Sequence, residues 1–180
     1  MQVFISSPSR ELAEYNEAAK SIVHDFGLAE KSFHDPAGAG ITQGAGSIFD
    51  QNRRAIEGSD VFIGMYGYGT TWRPASDEEL CLRHPELLVD PDKSIMEYEY
   101  EWAKAAELDI LRFLRVGQTE DALRGLEPSD RIEWFRTRIR ADGVGFLTSV
   151  QAFHGQLAGE LERIRPRVFL SYSRADVLQV

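Results

Sequence analysis

Apolar residues occur along the chain in two alternating patterns. Short, nearly continuous runs appear at Val3-Phe4-Ile5, Asp60-Val61-Phe62-Ile63-Gly64-Met65-Tyr66, Ile110–Val116 and Val144–Leu147, as in parallel strands covered on both faces. Between them the apolar positions fall at helical spacing. Leu12, Tyr15, Ala19, Ile22, Val23 and Phe26 predict a first helix closed by Gly27, and Val150, Phe153, Leu157, Leu161 and Ile164 mark a last one. Helices near Ser47–Glu57, Ser94–Glu107 and Ser129–Arg140 and a weak strand around Leu28–Phe33 complete the series. Alternating strands and helices predict an α/β fold: a flavodoxin-like open parallel sheet, strand order 2-1-3-4-5, with helices on both faces.

The connections add detail. The first strand runs into Ser6-Ser7-Pro8, where proline suits the first helical position behind a serine cap. The stretch from Gly38 to Gly46 is glycine-rich but lacks the Gly-Lys-Ser/Thr ending of a phosphate loop, so it reads as an ordinary connection. From Gly67 to Lys93, with Pro74, Pro85 and Pro91, the chain reads as a functional or mobile loop holding one helical turn around Asp77–Leu82. Beyond Pro166, Val168-Phe169-Leu170-Ser171 followed by Tyr172-Ser173-Arg174-Ala175-Asp176 predicts a new strand and a capped helix start. The expected division is therefore one domain over residues 1–165, then a linker and the first strand of a second domain over 166–180.

A length of 180 residues suits one domain, and 43% hydrophobic with 27% charged residues is the composition of a folded chain. The net charge of -9 argues against nucleic acid and anionic membranes as partners. A single cysteine, Cys81, the lack of a run long enough to cross a bilayer and the lack of a signal-peptide pattern point to the cytoplasm. The histidines, His24, His34, His84 and His154, are scattered, and Cys81 with His84 supplies two of the three or four ligands zinc needs, so neither metal nor cofactor is expected.

Glu99 is the first candidate for chemistry. On a helical wheel Ile95, Tyr98, Trp102, Ala105 and Ala106 form the apolar arc; Glu99 falls inside it, while Glu97 and Glu101 point away. A carboxylate facing the protein needs a hydrogen-bond partner or a raised pKa. It can serve a sugar C1 as nucleophile or electrostatic stabiliser, or it can clamp a neighbouring loop. Ser6 and Ser7, at the carboxyl end of a central strand, suit a phosphate or ribose contact, or Ser7 simply caps the helix. Tyr68 and Trp72 can stack on a base or pack a lid. Arg131, Arg136, Arg138 and Arg140 read as the solvated face of a helix rather than a nucleic-acid patch.

Three motifs in order, Val3-Phe4-Ile5-Ser6-Ser7-Pro8, Asp60-Val61-Phe62-Ile63-Gly64, and Ser94-Ile95-Met96-Glu97-Tyr98-Glu99-Tyr100 followed by Ile110-Leu111-Arg112-Phe113-Leu114, resemble the family called domain of unknown function 4062. The chain departs from the family pattern at Met96 and at Gly67-Tyr68-Gly69, which lacks an arginine. Glu97, the first glutamate of the third motif, joins Ser6, Ser7, Tyr68 and Trp72 as a ligand-binding candidate. By position Glu99 resembles the catalytic glutamate of nucleoside deoxyribosyltransferases. Val168 to Asp176 is similar to the opening of a TIR (Toll/interleukin-1 receptor) domain. These resemblances imply a sensing or regulatory module of a TIR-containing signalling or antiviral defence protein that binds a nucleotide-derived small molecule. Two other readings stay open: an N-glycosidic-bond enzyme acting through Glu99 on NAD or a nucleoside, and an oligomerisation scaffold that associates with its own copies.

Overall fold

Continuous β-branched and aromatic runs become strands where a helix covers each face, and the central strands of this sheet do so. In the computed structural model, which describes residues 1–7, 10–31, 45–68, 72–116 and 130–176, β1 (Gln2–Ser6), β2 (Ala29–Glu30), β3 (Val61–Tyr66), β4 (Asp109–Arg115) and β5 (Gly145–Leu147) pair in parallel in the order β2-β1-β3-β4-β5. The expected order 2-1-3-4-5 is the observed one. The helices are α1 (Ala13–Asp25), α2 (Ala45–Glu57), α3 (Glu78–Arg83), α4 (Ile95–Ala105), α5 (Asp130–Ala141) and α6 (Val150–Asp176).

Alternation along the strands sorts the core onto two faces. Val3, Ile5, Val61, Ile63, Met65, Leu111 and Phe113 pack with Tyr15, Ala19 and Ile22 of α1 and Phe153, Leu157 and Leu161 of α6. Phe4, Phe62, Tyr66 and Leu114 turn the other way, toward α2, α4 and α5. Phe4 stacks on Phe62 across the β1–β3 pair, ring centres 5.9 Å apart. Because β1 leads to α1 on one face and β3 leads on to α4 on the other, the chain diverges at the carboxyl ends of these neighbours. Open α/β sheets bind ligands at such a divergence.

Several expectations are corrected. The weak strand shrinks to Ala29–Glu30, while Phe33 and residues 38–44 of the glycine-rich stretch lie outside the described residues, as do Pro8 and Ser9. Ser7 does not cap α1: a 3-10 turn, Arg10–Leu12, precedes the helix, whose N-cap residue is Leu12 and makes no side-chain cap bond. The proline-rich segment holds more structure than one turn. Two 3-10 turns, Pro74–Ser76 and Pro85–Val89, flank α3, which Asp77 caps by accepting from the Leu80 amide. Proline at the first position of each 3-10 turn starts it rather than breaking it. Finally, α6 continues through residue 176, so the backbone at 168–170 is helical where a strand is predicted. A helix satisfies its backbone hydrogen bonds within itself and needs no neighbouring strand. No helix among the described residues is long and apolar enough to cross a membrane.

Gly64 in the middle of β3 controls how the second face is filled. A Cβ there would stand 2.2 Å from Tyr66 Oη and 2.9 Å from Phe62, so the missing side chain is the space in which the Tyr66 phenol lies. Gly64→Ala is expected to cost about 1–3 kcal/mol of stability through this overpacking, read by denaturant unfolding. An unchanged midpoint would show that the phenol does not occupy that space.

Candidate functional site

Three elements converge on one carboxylate. Glu99 lies in the second turn of α4, a helix started by Ser94, whose hydroxyl accepts from the Glu97 amide while the Glu97 carboxylate takes the Ser94 amide, a reciprocal capping box. Ser6 ends β1 and faces the same side as Phe4. Asn52 comes from α2. Ser6 Oγ donates to Glu99 Oε2 at 2.6 Å and Asn52 Nδ2 donates to Glu99 Oε1 at 2.8 Å. Each carboxylate oxygen thus has one donor, and the group is only 5% exposed. Burial pushes the Glu99 pKa up to about 7, against a pull downward from the Ser6 and Asn52 hydrogen bonds. Near neutral pH the carboxyl is therefore divided between its protonated and ionised forms.

Tyr66 completes the cluster. Its phenol lies back over Gly64, and Gly64 is the register partner of Ser6 on β1. Burial first, then Tyr100 and Glu99, hold the Tyr66 pKa well above its ordinary value, so the hydroxyl keeps its proton. The side chain is 1% exposed and its oxygen has no hydrogen-bond partner among the described residues. Asn52 Oδ1 and Ser7 Oγ are buried in the same unpartnered state.

The other sequence candidates occupy different places. Glu97 does not point away: it is buried, and besides its capping bonds it accepts from Arg131 Nε at 2.8 Å. The first turns of α4 are enclosed by neighbouring elements, so the buried arc includes Met96, Glu97, Tyr100 and Ala103, whereas Ala105 is exposed. Tyr68 gives its amide to Glu11 Oε1 at 2.6 Å, and its ring is covered by the Arg136 guanidinium at 3.9 Å. Trp72 packs with the apolar cluster over α4, and its carbonyl accepts the Ile95 amide. Their described contacts run to these partners rather than to Glu99.

Of the arginines of α5, Arg140 is exposed as expected, Arg131 and Arg138 are half-buried, and Arg136 departs from a solvated face altogether. Arg136 is 2% exposed and donates to the carbonyls of Gly67 and Arg115 at 2.9 and 2.8 Å, tying the carboxyl ends of β3 and β4 together. Arg131 joins Glu97 to Asp90, and Arg138 pairs with Glu101. Asn52, Tyr66 and Arg136 escaped the sequence reading. The helical wheel of α2 places Asn52 one turn before the buried Ala55 and Ile56, which was the available sign that it turns inward. Tyr66 looked like one more apolar strand residue.

The chain belongs to the family described as domain of unknown function (DUF4062), whose model matches residues 2–162. No curated protein matches it. Among solved structures it is similar to a Clostridium botulinum CMP N-glycosidase, BcmB, at 14% identity and a TM-score of 0.47, over 87% of this chain and 97% of that one.

A carboxyl whose pKa rises on folding binds protons more tightly in the folded state, so the stability it contributes is full below the unfolded value near 4.5 and is lost as pH rises through about 7. Glu99→Gln carries the same shape without the charge. Its stability relative to the parent chain is expected to increase from pH 5 to pH 8, by on the order of 3 kcal/mol at most, measured as paired unfolding curves across pH. A difference that is constant with pH would contradict a raised Glu99 pKa.

Proposed function

We propose that this domain binds a glycoside of a nitrogen base at the carboxyl ends of β1 and β3 and cleaves its N-glycosidic bond with Glu99. The observation that carries this reading is the geometry of the carboxylate: buried at the point where the sheet's connections diverge, and held by one donor on each oxygen from Ser6 and Asn52. A fixed carboxylate in a water-poor site is suited to positive charge developing at a sugar C1, where it is worth far more than in bulk water.

The chemistry follows from the two forms of Glu99. Its ionised oxygen bonds to C1 as the C1–N bond breaks, and the electron pair leaves with the base, which takes a proton from solvent. Water then attacks C1, the sugar leaves with the water's oxygen, a proton returns to solvent and Glu99 is regenerated as carboxylate. Ser6 and Asn52 orient the attacking oxygen and moderate its basicity. Since only the ionised form attacks, the rate should rise with pH through about 7.

The finer signalling reading rests on other ground. A sensing module of a TIR-containing protein is supported by the sequence likeness of Val168 to Asp176 alone, and it requires ligand binding without turnover. The two readings part on one measurement. Incubation with NAD and a panel of nucleosides, with free base followed by chromatography, is expected to give release that falls at least about 100-fold in Glu99→Gln and climbs with pH around 7 in the parent chain. Nucleoside binding with no base release at any pH would overturn the enzymatic reading in favour of the sensor.

A further inference from the structure

Two polar atoms beside Glu99 remain unused by the reaction described above. Tyr66 Oη and Asn52 Oδ1 are both buried with no hydrogen-bond partner among the described residues. Burying such a group without a partner costs about 1–3 kcal/mol, and native structures hold few of them, each calling for an explanation. Here two lie beside the same carboxylate.

Their placement is fixed by the backbone. Tyr66 Oη lies over Gly64, 2.2 Å from where a Cβ would be, and Gly64 is paired in register with Ser6, the donor to Glu99 Oε2. The phenol therefore ends near Ser6, close enough to Glu99 for that carboxylate to act on it. Asn52 gives its amide to Glu99 Oε1, so its carbonyl oxygen lies beside the same carboxylate. The chemistry of the two atoms is complementary. A protonated phenol donates, and an amide carbonyl only accepts. A group that answers both must accept one hydrogen bond and donate another while carrying no charge. An alcohol hydroxyl does this. A phosphate or carboxylate does not, because it has no proton for Asn52 and would add negative charge beside Glu99.

We propose that Tyr66 Oη and Asn52 Oδ1 receive the sugar hydroxyl adjacent to the carbon that Glu99 attacks, so that the site selects ribosyl over 2-deoxyribosyl substrates. The choice of sugar rests on the N-glycosidic reading of Glu99; the demand for a neutral hydroxyl comes from the two unpartnered atoms themselves. Tyr66 donates to the hydroxyl oxygen and the hydroxyl donates to Asn52. A 2-deoxy sugar leaves both atoms unpaired, the condition under which polar sites discriminate most strongly against an analogue.

The test measures binding separately from turnover. The parent chain and Tyr66→Phe are titrated calorimetrically with adenosine, cytidine, guanosine and uridine and with the 2′-deoxy form of each, and base release is followed in parallel. The parent is expected to bind its preferred ribonucleoside about tenfold more tightly than the deoxy counterpart. Tyr66→Phe should lower that ratio by weakening the ribonucleoside while leaving the deoxynucleoside unchanged, the hydroxyl keeping its bond to Asn52. Without ligand it should be at least as stable as the parent, having lost an unpaired hydroxyl. The 2′-O-methyl ribonucleoside, which accepts but cannot donate, gives an arm that needs no substitution and should also bind the parent more weakly. An equal ratio in parent and variant, a preference for the deoxynucleoside, or no nucleoside binding would each overturn the proposal. Base release with an unchanged ratio sinks the hydroxyl site alone. Ribonucleoside-selective binding that Tyr66→Phe weakens, with no base release, keeps the hydroxyl site and sinks the N-glycosidic chemistry.

Discussion

A carboxylate taken out of water at the junction of two central strands is the constraint around which the sheet's second face is arranged. Glu99 has its hydration replaced by two fixed donors, one from a strand end and one from a helix, and such replacement is incomplete: its pKa still lies near 7. The fold tolerates the residue rather than gaining from it at neutral pH. Its surroundings are closely packed. Phe4, Phe62 and the Tyr66 phenol fill the sheet beside it, and the absence of a side chain at Gly64 leaves room for that phenol against β3.

The rest of the carboxyl edge is tied by buried or half-buried cations. Arg136 gathers the carbonyls that end β3 and β4, and Arg131 braces the first turn of α4 through Glu97. Buried cations of this kind contribute geometry more than net stability. Glu97 and Glu99, two residues apart on one helix, thereby take opposite roles. Glu97 is neutralised by a guanidinium and capped by Ser94, whereas Glu99 meets only neutral donors and keeps its elevated proton affinity.

The fold was legible because strand burial on both faces leaves a strong one-dimensional trace. Val61 to Met65 could hardly be anything else, and the helical stripes at α1 and α6 follow from one covered face each. Glu99 was legible for the same reason, as a charge within an apolar arc. What escaped depended on contacts between distant residues. Asn52 lies 47 positions from Glu99, and no local pattern marks an amide that will complete a buried carboxylate. Glu97 was misplaced because a wheel assumes one buried face, while α4 is enclosed on several sides. Arg136 looked like a surface cation because its carbonyl partners belong to strand ends 21 and more residues away. The helix through residues 168–170 shows the opposite limit: a sequence suited to a strand is helical in the structure, because β propensity depends on context.

The claim on which all of this turns is that Glu99 is a buried carboxyl poised near neutrality, and direct titration of that group reaches it most simply. Carbon-13 NMR of the glutamate side-chain carboxyls, with the Glu99 resonance assigned by its loss in Glu99→Gln, reports the midpoint in the folded protein without any ligand. A midpoint near 7, well apart from the other glutamates, is the predicted result. A midpoint at the ordinary value of 4.5 would mean that the carboxylate is comfortably solvated or paired, and would contradict the account of this site.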